Sequence, residues 1–394
     1  MSGSLQGVRV LDLTAMISGP YCTRLLADMG AQVIKVEPPD GDLMRQRQPL
    51  REGADGTHSA YFGNLNAGKR SLCVDLRQEP GRVLVRELAA QSDVVVENFR
   101  PGVIARVGLD YAALVALNPN LVWCSISGFG QKGSESSRPA YAMIVHAMSG
   151  FDLANLAYQE GLDRPPNTGI FIADILSGTH AFGAICAALA RRGMGGGGEF
   201  IDLAMMDAML GLLPYEIAEA QFSGTKKRFL YRPTKARDGF VILAPVSQGN
   251  FEDMARAAGH AEWIAEPRFA TNAAREKNWD ELMAALDDWA ADKSALECER
   301  AMTGGGVPCS RYLTVEDAMA LPYAGERGTF STVRDGAGEF KVTNAPFRMA
   351  RAGNVGQTTV PTLGEGNRDL AAKLGRSPAE IARLEADGVL CGKR

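Results

Sequence analysis

The sequence predicts an α/β protein whose larger part is a parallel sheet covered by helices, joined to a smaller α+β domain. Short aliphatic and β-branched runs alternate with helical patterns, at intervals of roughly 30 residues, and parallel strands require such crossover connections. Beyond about residue 240 the regular alternation gives way to a series of helical patterns with a few short strand-like runs. In a doubly wound sheet, ligands bind at the carboxyl ends of the strands.

The first strand–helix–strand unit lies at the start of the chain. Residues 8–13 (VRVLDL) form an aliphatic run typical of a buried strand. Ser18 is the predicted N-cap of the next helix, with Pro20 near its first position, and Gly30 is expected just past its end. Residues 31–37 (AQVIKVE) then form the second strand.

The same pattern continues with a helix over 81–91 and strands over 93–99 and 121–130. The polar, glycine-bearing strand ends are the expected ligand-binding positions: VEPPDGD, VENFRPG and SGFGQKG. A long helix over 175–191 and the glycine run 193–198 come next, followed by a strand and a helix. Glycines that follow a helix and precede a strand are in the wrong order for a phosphate-binding loop, so they indicate a turn.

A basic segment, expected to be irregular, covers 225–239 and separates these elements from the rest of the chain. The elements predicted beyond it are a strand over 240–246, helices over 250–258, 278–290 and 293–303, a short strand before 313, short strands after 326 and a polar helix over 366–385.

Composition and charge exclude several classes of protein. Apolar residues make up 46% and charged residues 22%, as in ordinary soluble proteins. The net charge of -4 and the pI near 5.8 argue against nucleic acid as a partner. No apolar run predicts a membrane span, and no export signal opens the sequence. Seven widely spaced cysteines and four histidines, without CxxC or HExxH, predict neither disulfides nor a metal site, and the expected location is the cytoplasm.

Asp174 is the main candidate for chemistry, because it is a lone carboxylate between the apolar run 170–173 and a long apolar helix. As a helix N-cap it would contribute about 1 kcal/mol, which is enough to explain its presence. As a nucleophile it would stay ionised at the helix start while apolar neighbours exclude water. His146 and His180 lie in apolar stretches typical of buried structural histidines, and no Gly-x-Ser-x-Gly motif follows a strand.

Long segments in order along the chain carry a family resemblance: GVRVLDLTAMISGPYCTRLLADMGAQVIKVEPPDGD, NLNAGKRSLCVDLR, DVVVENFRPGVIARVGLDY, LNPNLVWCSISGFGQKG, AMSG and IADILSGTHAFGAICAALARR. Together they resemble the class III CoA-transferase family (the CaiB/BaiF group). That family includes formyl-CoA:oxalate and carnitine CoA-transferases and the α-methylacyl-CoA racemases. The match runs through most of the chain and is densest over 7–205.

The resemblance implies a Rossmann-like large domain built from both chain ends, plus a small domain. The implied boundaries are 1–224 for the large CoA-binding domain, 225–325 for the small domain, and 326–394 for the segment that returns to the large domain. Two chains of the family interlock like rings, so the resemblance also implies an interlocked homodimer.

The resemblance also implies the reaction. Asp174 matches the aspartate that is the nucleophile in transferases of the family, so its carboxylate is expected to attack an acyl-CoA thioester. The products would be a mixed anhydride and CoA thiolate, and CoA would then pass to a small carboxylic acid without ATP. Acyl-CoA and the acid are the implied substrates, with no tightly bound cofactor and no metal ion.

Contacts with CoA carry over from the family onto matching positions. They are Met16 and Ile17 near the first turn, Asn98 and Phe99 of VENF, Arg106, and the segment Lys69, Arg70, Ser71 and Leu72. Arg106, with Lys69 or Arg70, is expected to face the phosphates. The alternative is that these cations are ordinary solvated surface charges, and this interpretation is favoured more for Lys69 than for Arg106.

The racemases of the family pair the helix-start aspartate with a histidine, because exchange of an α-proton needs two acid/base groups. That position matches Tyr141 here, and transferases often have tyrosine at it. His146 lies five residues further on, where relatives commonly carry glutamine. Tyr141 and His146 are therefore further candidates for catalytic residues, and the alternatives to a transferase are a 2-methylacyl-CoA racemase and a non-catalytic CoA-binding protein.

Two departures from the oxalate-using members of the family bear on the acceptor acid. Members that use oxalate carry a glutamine where this chain has Ile17, and a glycine-rich loop where it has YRPTKARDGF. A C4 or C5 dicarboxylate, or a medium-sized acid, is therefore expected instead of oxalate. Arg232 and Lys235 are candidates to meet a second carboxylate, with solvated surface as the alternative.

Overall fold

The structure is a computed structural model that describes residues 3–54, 56–159, 161–222, 229–353 and 355–392. The chain divides into two compact units, one formed by Met1–Gln221 together with Gly325–Arg394 and the other by Phe222–Ala324. The boundary expected at 224/225 lies outside the described residues.

The first 221 residues contain a parallel sheet and its covering helices. The strands are β1 Arg9–Asp12, β2 Gln32–Glu37, β3 Leu50–Gly53, β4 Gly56–Ser59, β5 Arg70–Cys73, β6 Val94–Glu97, β7 Val122–Ser127 and β8 Glu199–Ala204. The α-helices are α1 Ser18–Asp28, α2 Ala60–Asn66, α3 Glu79–Ala90, α4 Tyr111–Val115, α5 Ala142–Met148, α6 Phe151–Ala157, α7 Ile172–Gly193, α8 Met205–Gly211 and α9 Pro214–Gln221. Short 3-10 helices cover Leu43–Gln46 and Ile104–Val107.

Six of these strands form one sheet in the order β5-β2-β1-β6-β7-β8, and all five pairings are parallel. This confirms the predicted parallel α/β architecture. The strand order reverses between β1 and β6, which is where ligands of such sheets bind. Strands β6 and β7 are buried along their whole length, because helices cover both faces: α3 and α4 share one apolar cluster, and α1 and α7 share the other.

The second unit has its own antiparallel sheet and apolar core. Its strands are β9 Thr234–Ala236, β10 Gly239–Leu243 and β11 Cys309–Arg311, in the order β11-β10-β9. Its helices are α10 Gln248–Ala257, α11 Asn272–Lys277, α12 Trp279–Ala290, α13 Ala295–Gly304 and α14 Val315–Ala320, with a 3-10 helix at Ala261–Ile264. The expectation that 225–239 is irregular is wrong at β9, since alternate residues of that strand are buried and pair with β10.

The remaining elements are α15 Pro322–Arg327, β12 Phe330–Asp335, β13 Gly338–Thr343, α16 Asn367–Lys373 and α17 Pro378–Ala386. The single helix predicted over 366–385 is therefore two helices. Gly375 has a φ of +84° between them, and Ser377 forms a capping box with Glu380 that starts a new helix at Pro378. The interruption follows from this local start signal.

The expectation that no segment could cross a bilayer needs correction at α7. This helix has 22 residues, and its most apolar window has a mean hydropathy of 1.5, which meets the length and composition of a membrane span. Core helices of soluble proteins meet the same criterion, and α7 packs here on α1, α5, α8 and β7. Packing within the large unit covers a third of its most apolar window.

Candidate active site

A cavity of about 500 Å³ lies at the carboxyl ends of β1, β2, β5 and β6, beside the point where the strand order reverses. Its walls are mainly apolar and include Leu13, Val36, Pro38, Val74, Phe99 and Val107. Two of the three predicted ligand-binding segments, VEPPDGD and VENFRPG, contribute residues to it. The third does not line it: Gln131 donates its backbone N–H to Asp202 at 3.0 Å instead.

The loop 13–18 links this cavity to the start of α1. Asn98 holds the loop: its Oδ1 accepts the Ala15 N–H at 2.9 Å and its Nδ2 donates to the Ala15 carbonyl at 2.8 Å. Met16 is the one non-glycine residue with positive φ, +66°, in the described ranges. Such a conformation costs about 1–3 kcal/mol and is commonly found at functional sites. Two predicted CoA contacts are therefore associated with this constrained loop: Met16 lies on it, and Asn98 holds it through Ala15.

Asp174 lies where the first turns of two helices meet. Helix α7 begins at Ile172 with Phe171 in the cap position, so Asp174 is the third helical residue and not the N-cap. Ser18 likewise opens α1 instead of capping it, because Ile17 holds that position. Hydrogen bonding from the Ser18 N–H and hydroxyl acts on the Asp174 carboxylate. The helix-cap interpretation of both residues is thus wrong in detail, and the two residues interact with each other.

The surroundings of Asp174 favour its neutral form. Burial raises its pKa to about 6, although the hydrogen bonds from Ser18 oppose the shift. The apolar cluster around this helix start contains Ile17, with Phe171 and Ile175 packed against it. Burial and then the charge of Asp174 raise the pKa of Tyr61, so this phenol on α2 also lies close to the carboxylate. A partly desolvated carboxylate that is still mostly ionised at neutral pH suits a nucleophile.

Gly178 explains how α7 reaches α1. A Cβ at this position would lie 2.6 Å from the carbonyl oxygen of Ser18 and 3.1 Å from the Tyr21 ring. Gly178 and Asp174 are one helical turn apart and share a face. The glycine therefore allows the close helix crossing that brings the carboxylate to Ser18.

We expect Gly178→Ala to destabilise the protein by about 1–3 kcal/mol, as overpacking does, and to lower kcat by up to about 10²-fold through displacement of Asp174. Gly183→Ala in the same helix is the matched control, because its Cβ would meet no atom within 4 Å. That variant should be neutral or up to about 1 kcal/mol more stable. Denaturant unfolding and a CoA-transfer assay measure both effects. Equal behaviour of the two variants would contradict the role of Gly178.

The two other candidate catalytic residues lie on α5. Tyr141 holds the N-cap position of this helix. Its side chain is exposed, and in the described part of the chain its hydroxyl makes no hydrogen bond. His146 is buried, and its Nε2 accepts the backbone N–H of Ala173 at 3.0 Å. This nitrogen is therefore engaged with protein backbone, which does not support proton exchange with a substrate.

Lys69 is neither surface charge nor free to meet a phosphate. It is buried, and its Nζ donates to Asp12 Oδ2 at 3.0 Å, Thr23 Oγ1 at 2.7 Å, Asn66 Oδ1 at 2.8 Å and the Pro20 carbonyl at 2.9 Å. Burial lowers its pKa to about 8, and Asp12 opposes this shift. Both expectations for this lysine are therefore corrected: it fixes β1 to the first turns of α1.

The rest of the segment after Lys69 forms the sheet edge strand β5. Arg70 is partly exposed and pairs with Asp369 at 2.8 Å. Ser71 is buried and donates to Glu37 Oε1 at 2.7 Å, and Leu72 lies in the apolar core. None of these three side chains lines the cavity, and each has a partner within the protein.

Phe99 and Arg106 are better placed for a ligand. Phe99 lines the cavity and donates its N–H to Glu97 Oε2 at 2.8 Å. Arg106 belongs to the 3-10 helix Ile104–Val107, whose last residue lines the cavity. Its side chain is exposed and has no ion-pair partner among the residues that the structure describes. An unpaired guanidinium beside an apolar cavity can meet a phosphate.

The two cations proposed for a second carboxylate lie in the second unit. Arg232 pairs with Asp287 Oδ2 at 2.8 Å, and Lys235 is exposed on β9. In the described ranges no group of three or more His, Cys, Asp or Glu side chains is placed to hold a metal ion.

Ser18, Gly178 and Tyr61 belong to the site but were not predicted as parts of it from the sequence. Ser18 and Gly178 both lie in segments that carry the family resemblance. The contact between them joins positions about 160 residues apart in the sequence, and no local pattern indicates it.

Residues 5–367 match the family described as CoA-transferase family III. The chain is 35% identical to succinyl-CoA–D-citramalate CoA-transferase of Chloroflexus aurantiacus, over 98% of each chain. It is also 35% identical to succinate–glutarate CoA-transferase of Agrobacterium fabrum, over 82% of this chain and 84% of that one. Among solved structures, a CaiB/BaiF family protein from Brucella suis superposes with a TM-score of 0.85 and 33% identity, covering 95% of this chain and 100% of that one.

Proposed function

The chain belongs to CoA-transferase family III, and we propose that Asp174 is the nucleophile through which it moves CoA from an acyl-CoA to a carboxylic acid. The observation that carries this proposal is the position of the Asp174 carboxylate. It meets Ser18 at one end of the loop 13–18, while the other end of that loop lines the apolar cavity. A CoA thioester bound along the loop would bring its carbonyl carbon to this carboxylate.

The proposed reaction has four steps. An Asp174 oxygen attacks the thioester carbonyl carbon, the C–S bond breaks, and CoA thiolate leaves a mixed anhydride. The thiolate then attacks the aspartyl carbonyl, which releases the donor acid and leaves an aspartyl-CoA thioester. The acceptor carboxylate attacks this thioester and regenerates a mixed anhydride and the thiolate. Attack of the thiolate on the acceptor acyl carbon frees Asp174, so one thioester is exchanged for another.

We propose that the cavity holds part of CoA, with Phe99 in its wall and Arg106 directly before the lining residue Val107. For the acceptor we propose a C4 or C5 dicarboxylate. Ile17 is buried in an apolar cluster, and its aliphatic side chain has no hydrogen-bond donor for oxalate. The names of the relatives from Chloroflexus and Agrobacterium, which contain succinyl-CoA, D-citramalate and glutarate, support the same class.

The direct test is mass spectrometry of the protein incubated with succinyl-CoA and hydroxylamine. A hydroxamate on Asp174 is the expected product, because hydroxylamine captures the activated carboxyl group. A panel of succinate, glutarate, citramalate, mesaconate and oxalate as acceptors then defines the acid. Transfer to oxalate alone would contradict the proposed acceptor class, and a hydroxamate on another carboxylate would contradict the nucleophile.

The dependence of the rate on pH should report Asp174. Only the carboxylate attacks, so activity is full above its pKa and is lost as pH falls through it. With the pKa raised to about 6, kcat/KM should begin to fall near pH 6, where an ordinary aspartate would hold its rate to about pH 4. Ser18→Ala removes a hydrogen bond that lowers this pKa, so it should move the acid limb to higher pH. An acid limb at pH 4 in the native protein would contradict the assignment.

A homodimer and a cytoplasmic location complete the proposal. Only a third of the most apolar window of α7 is buried within the chain, and exposed apolar side chains such as Met143, Leu153 and Ile170 add to this surface. A second copy of the chain, interlocked with the first, would cover it. All seven cysteines are free thiols, which suits a reducing compartment. Sedimentation of an active monomer would contradict the dimer.

A further inference from the structure

The first turn of α7 lacks a cap from its own N-terminal side chain. Phe171 holds the cap position, and a phenyl ring accepts no conventional hydrogen bond from the helix amides. The Ile172 N–H donates to the Ile170 carbonyl at 2.9 Å. The next amide, that of Ala173, donates to His146 Nε2 at 3.0 Å. A buried N–H without a partner is costly, so an acceptor is needed at this point.

This hydrogen bond defines the state of the imidazole. A backbone N–H can only donate, so Nε2 carries a lone pair and the proton of the neutral ring is on Nδ1. The ring is buried and lies against Phe151, with 5.5 Å between ring centroids. Burial lowers the pKa of His146, and Asp152 opposes the shift in part. The neutral form required by the hydrogen bond is therefore the form present at neutral pH.

We propose that His146 is a positioning residue: its neutral imidazole caps the first turn of α7 and thereby fixes the position of the Asp174 carboxylate. Ala173 and Asp174 are consecutive, so any movement of the Ala173 peptide is passed directly to the Asp174 backbone. A displacement of about 1 Å is enough to cost up to 10²-fold in rate. This inference rests on the proposed role of Asp174 as nucleophile.

The charged groups around His146 set the pH dependence. Helices α6, α7 and α8 pack against α5, and they carry Asp152, Asp174 and Asp207 in their first turns. Among these, Asp152 is the one that acts on the pKa of His146. Protonation turns Nε2 into a donor that faces another donor, so the cap is lost at acid pH. The acid limb of the native protein should therefore record two ionisations, those of Asp174 and His146.

Two variants of His146 test the proposal. Leucine has no acceptor, whereas the Oε1 atom of glutamine accepts a hydrogen bond and does not titrate. We expect His146→Leu to lower kcat by about 10- to 100-fold with little change in the KM for acyl-CoA. His146→Gln should restore most of kcat, and the limiting slope of its acid limb should fall from two protons to one. Hydrogen exchange of a peptide covering 170–176 should be faster in the leucine variant and native-like in the glutamine variant.

The outcomes separate this inference from the proposed function. Native kcat in His146→Leu would overturn the inference, as would a glutamine variant as inactive as the leucine variant, since the imidazole itself would then react. An unchanged slope of two protons in His146→Gln would also overturn it, and this measurement decides the matter if the leucine variant does not fold. An active Asp174→Ala variant would instead overturn the proposed function. An inactive Asp174→Ala beside a fully active His146→Leu would refute the positioning role alone.

Discussion

Replacing Asp174 with alanine is expected to lower the rate of CoA transfer by on the order of 10⁴-fold or more, as removal of a nucleophile does. Binding of CoA should persist, because the cavity is lined by residues at the strand ends and not by α7. The stability should stay the same or rise, since burial raises the pKa of Asp174 and its ionised form is disfavoured in the folded protein. Transfer assays, CoA titration and thermal unfolding measure the three properties.

Asp207→Ala is the matched control for that experiment. Asp207 is also an acidic residue in the first turn of a helix, but its side chain is exposed. Its removal should cost the helix-dipole interaction of about 0.3–1 kcal/mol and leave transfer intact. A CoA-transferase that works without the carboxylate of Asp174 would refute the anhydride mechanism, whatever its stability.

Lys69→Met should destabilise the large unit by about 3–5 kcal/mol, the usual result of removing one member of a buried ion pair. Lys69 and Asp12 are both inaccessible to solvent, with 3.0 Å between Nζ and Oδ2. In the native protein the pKa of Asp12 is about 2, because Lys69, Lys35 and two hydroxyl groups outweigh the effect of burial. Without Lys69 the charged Asp12 is less well compensated, and denaturant unfolding should record the loss.

The pH dependence identifies the cause of this loss. Loss of Lys69 raises the folded-state pKa of Asp12, so the deficit relative to the native protein should shrink as pH falls and Asp12 takes up a proton. The adjacent Arg70→Met is the control: its partner Asp369 is half exposed, and such surface pairs contribute about 0–1 kcal/mol. If both variants lost the same stability, the buried pair would not be the reason.

The parallel sheet could be predicted because its strands are aliphatic runs that are buried on both faces. The run that became β6, Val94–Glu97, needs no tertiary information to be recognised. The strand β5 was missed because RSLC is short and begins within the basic pair Lys69–Arg70, and only pairing with β2 makes it a strand. The hairpin β3–β4 was missed for a similar reason, since its strands are short and partly exposed.

The sequence was enough to select Asp174 as the candidate nucleophile, but not to identify most of the residues that support it. Asp174 stood out as a charge in an apolar stretch, whereas the donors that act on it come from Ser18 on another helix. Lys69 was expected either to face a phosphate or to be ordinary surface charge, and both expectations were wrong. Its charge alone does not reveal that four acceptors surround it. Each of these contacts depends on how α1 packs against α7 and α2, which local sequence patterns do not encode.

The return of Gly325–Arg394 to the large unit has a consequence for synthesis on the ribosome. The side chain of Asn367 accepts the Cys73 N–H at 2.9 Å, and Cys391 donates its N–H to the Cys73 carbonyl at 2.9 Å, so the edge strand β5 is completed by the last part of the chain. Leu370 and Leu390 fill the core beside it. During synthesis, the edge of the sheet at β5 and the apolar face beside it therefore stay uncovered until the whole second unit has been translated. An open sheet edge and an exposed apolar face favour aggregation, so we expect misfolding to be most frequent in that interval.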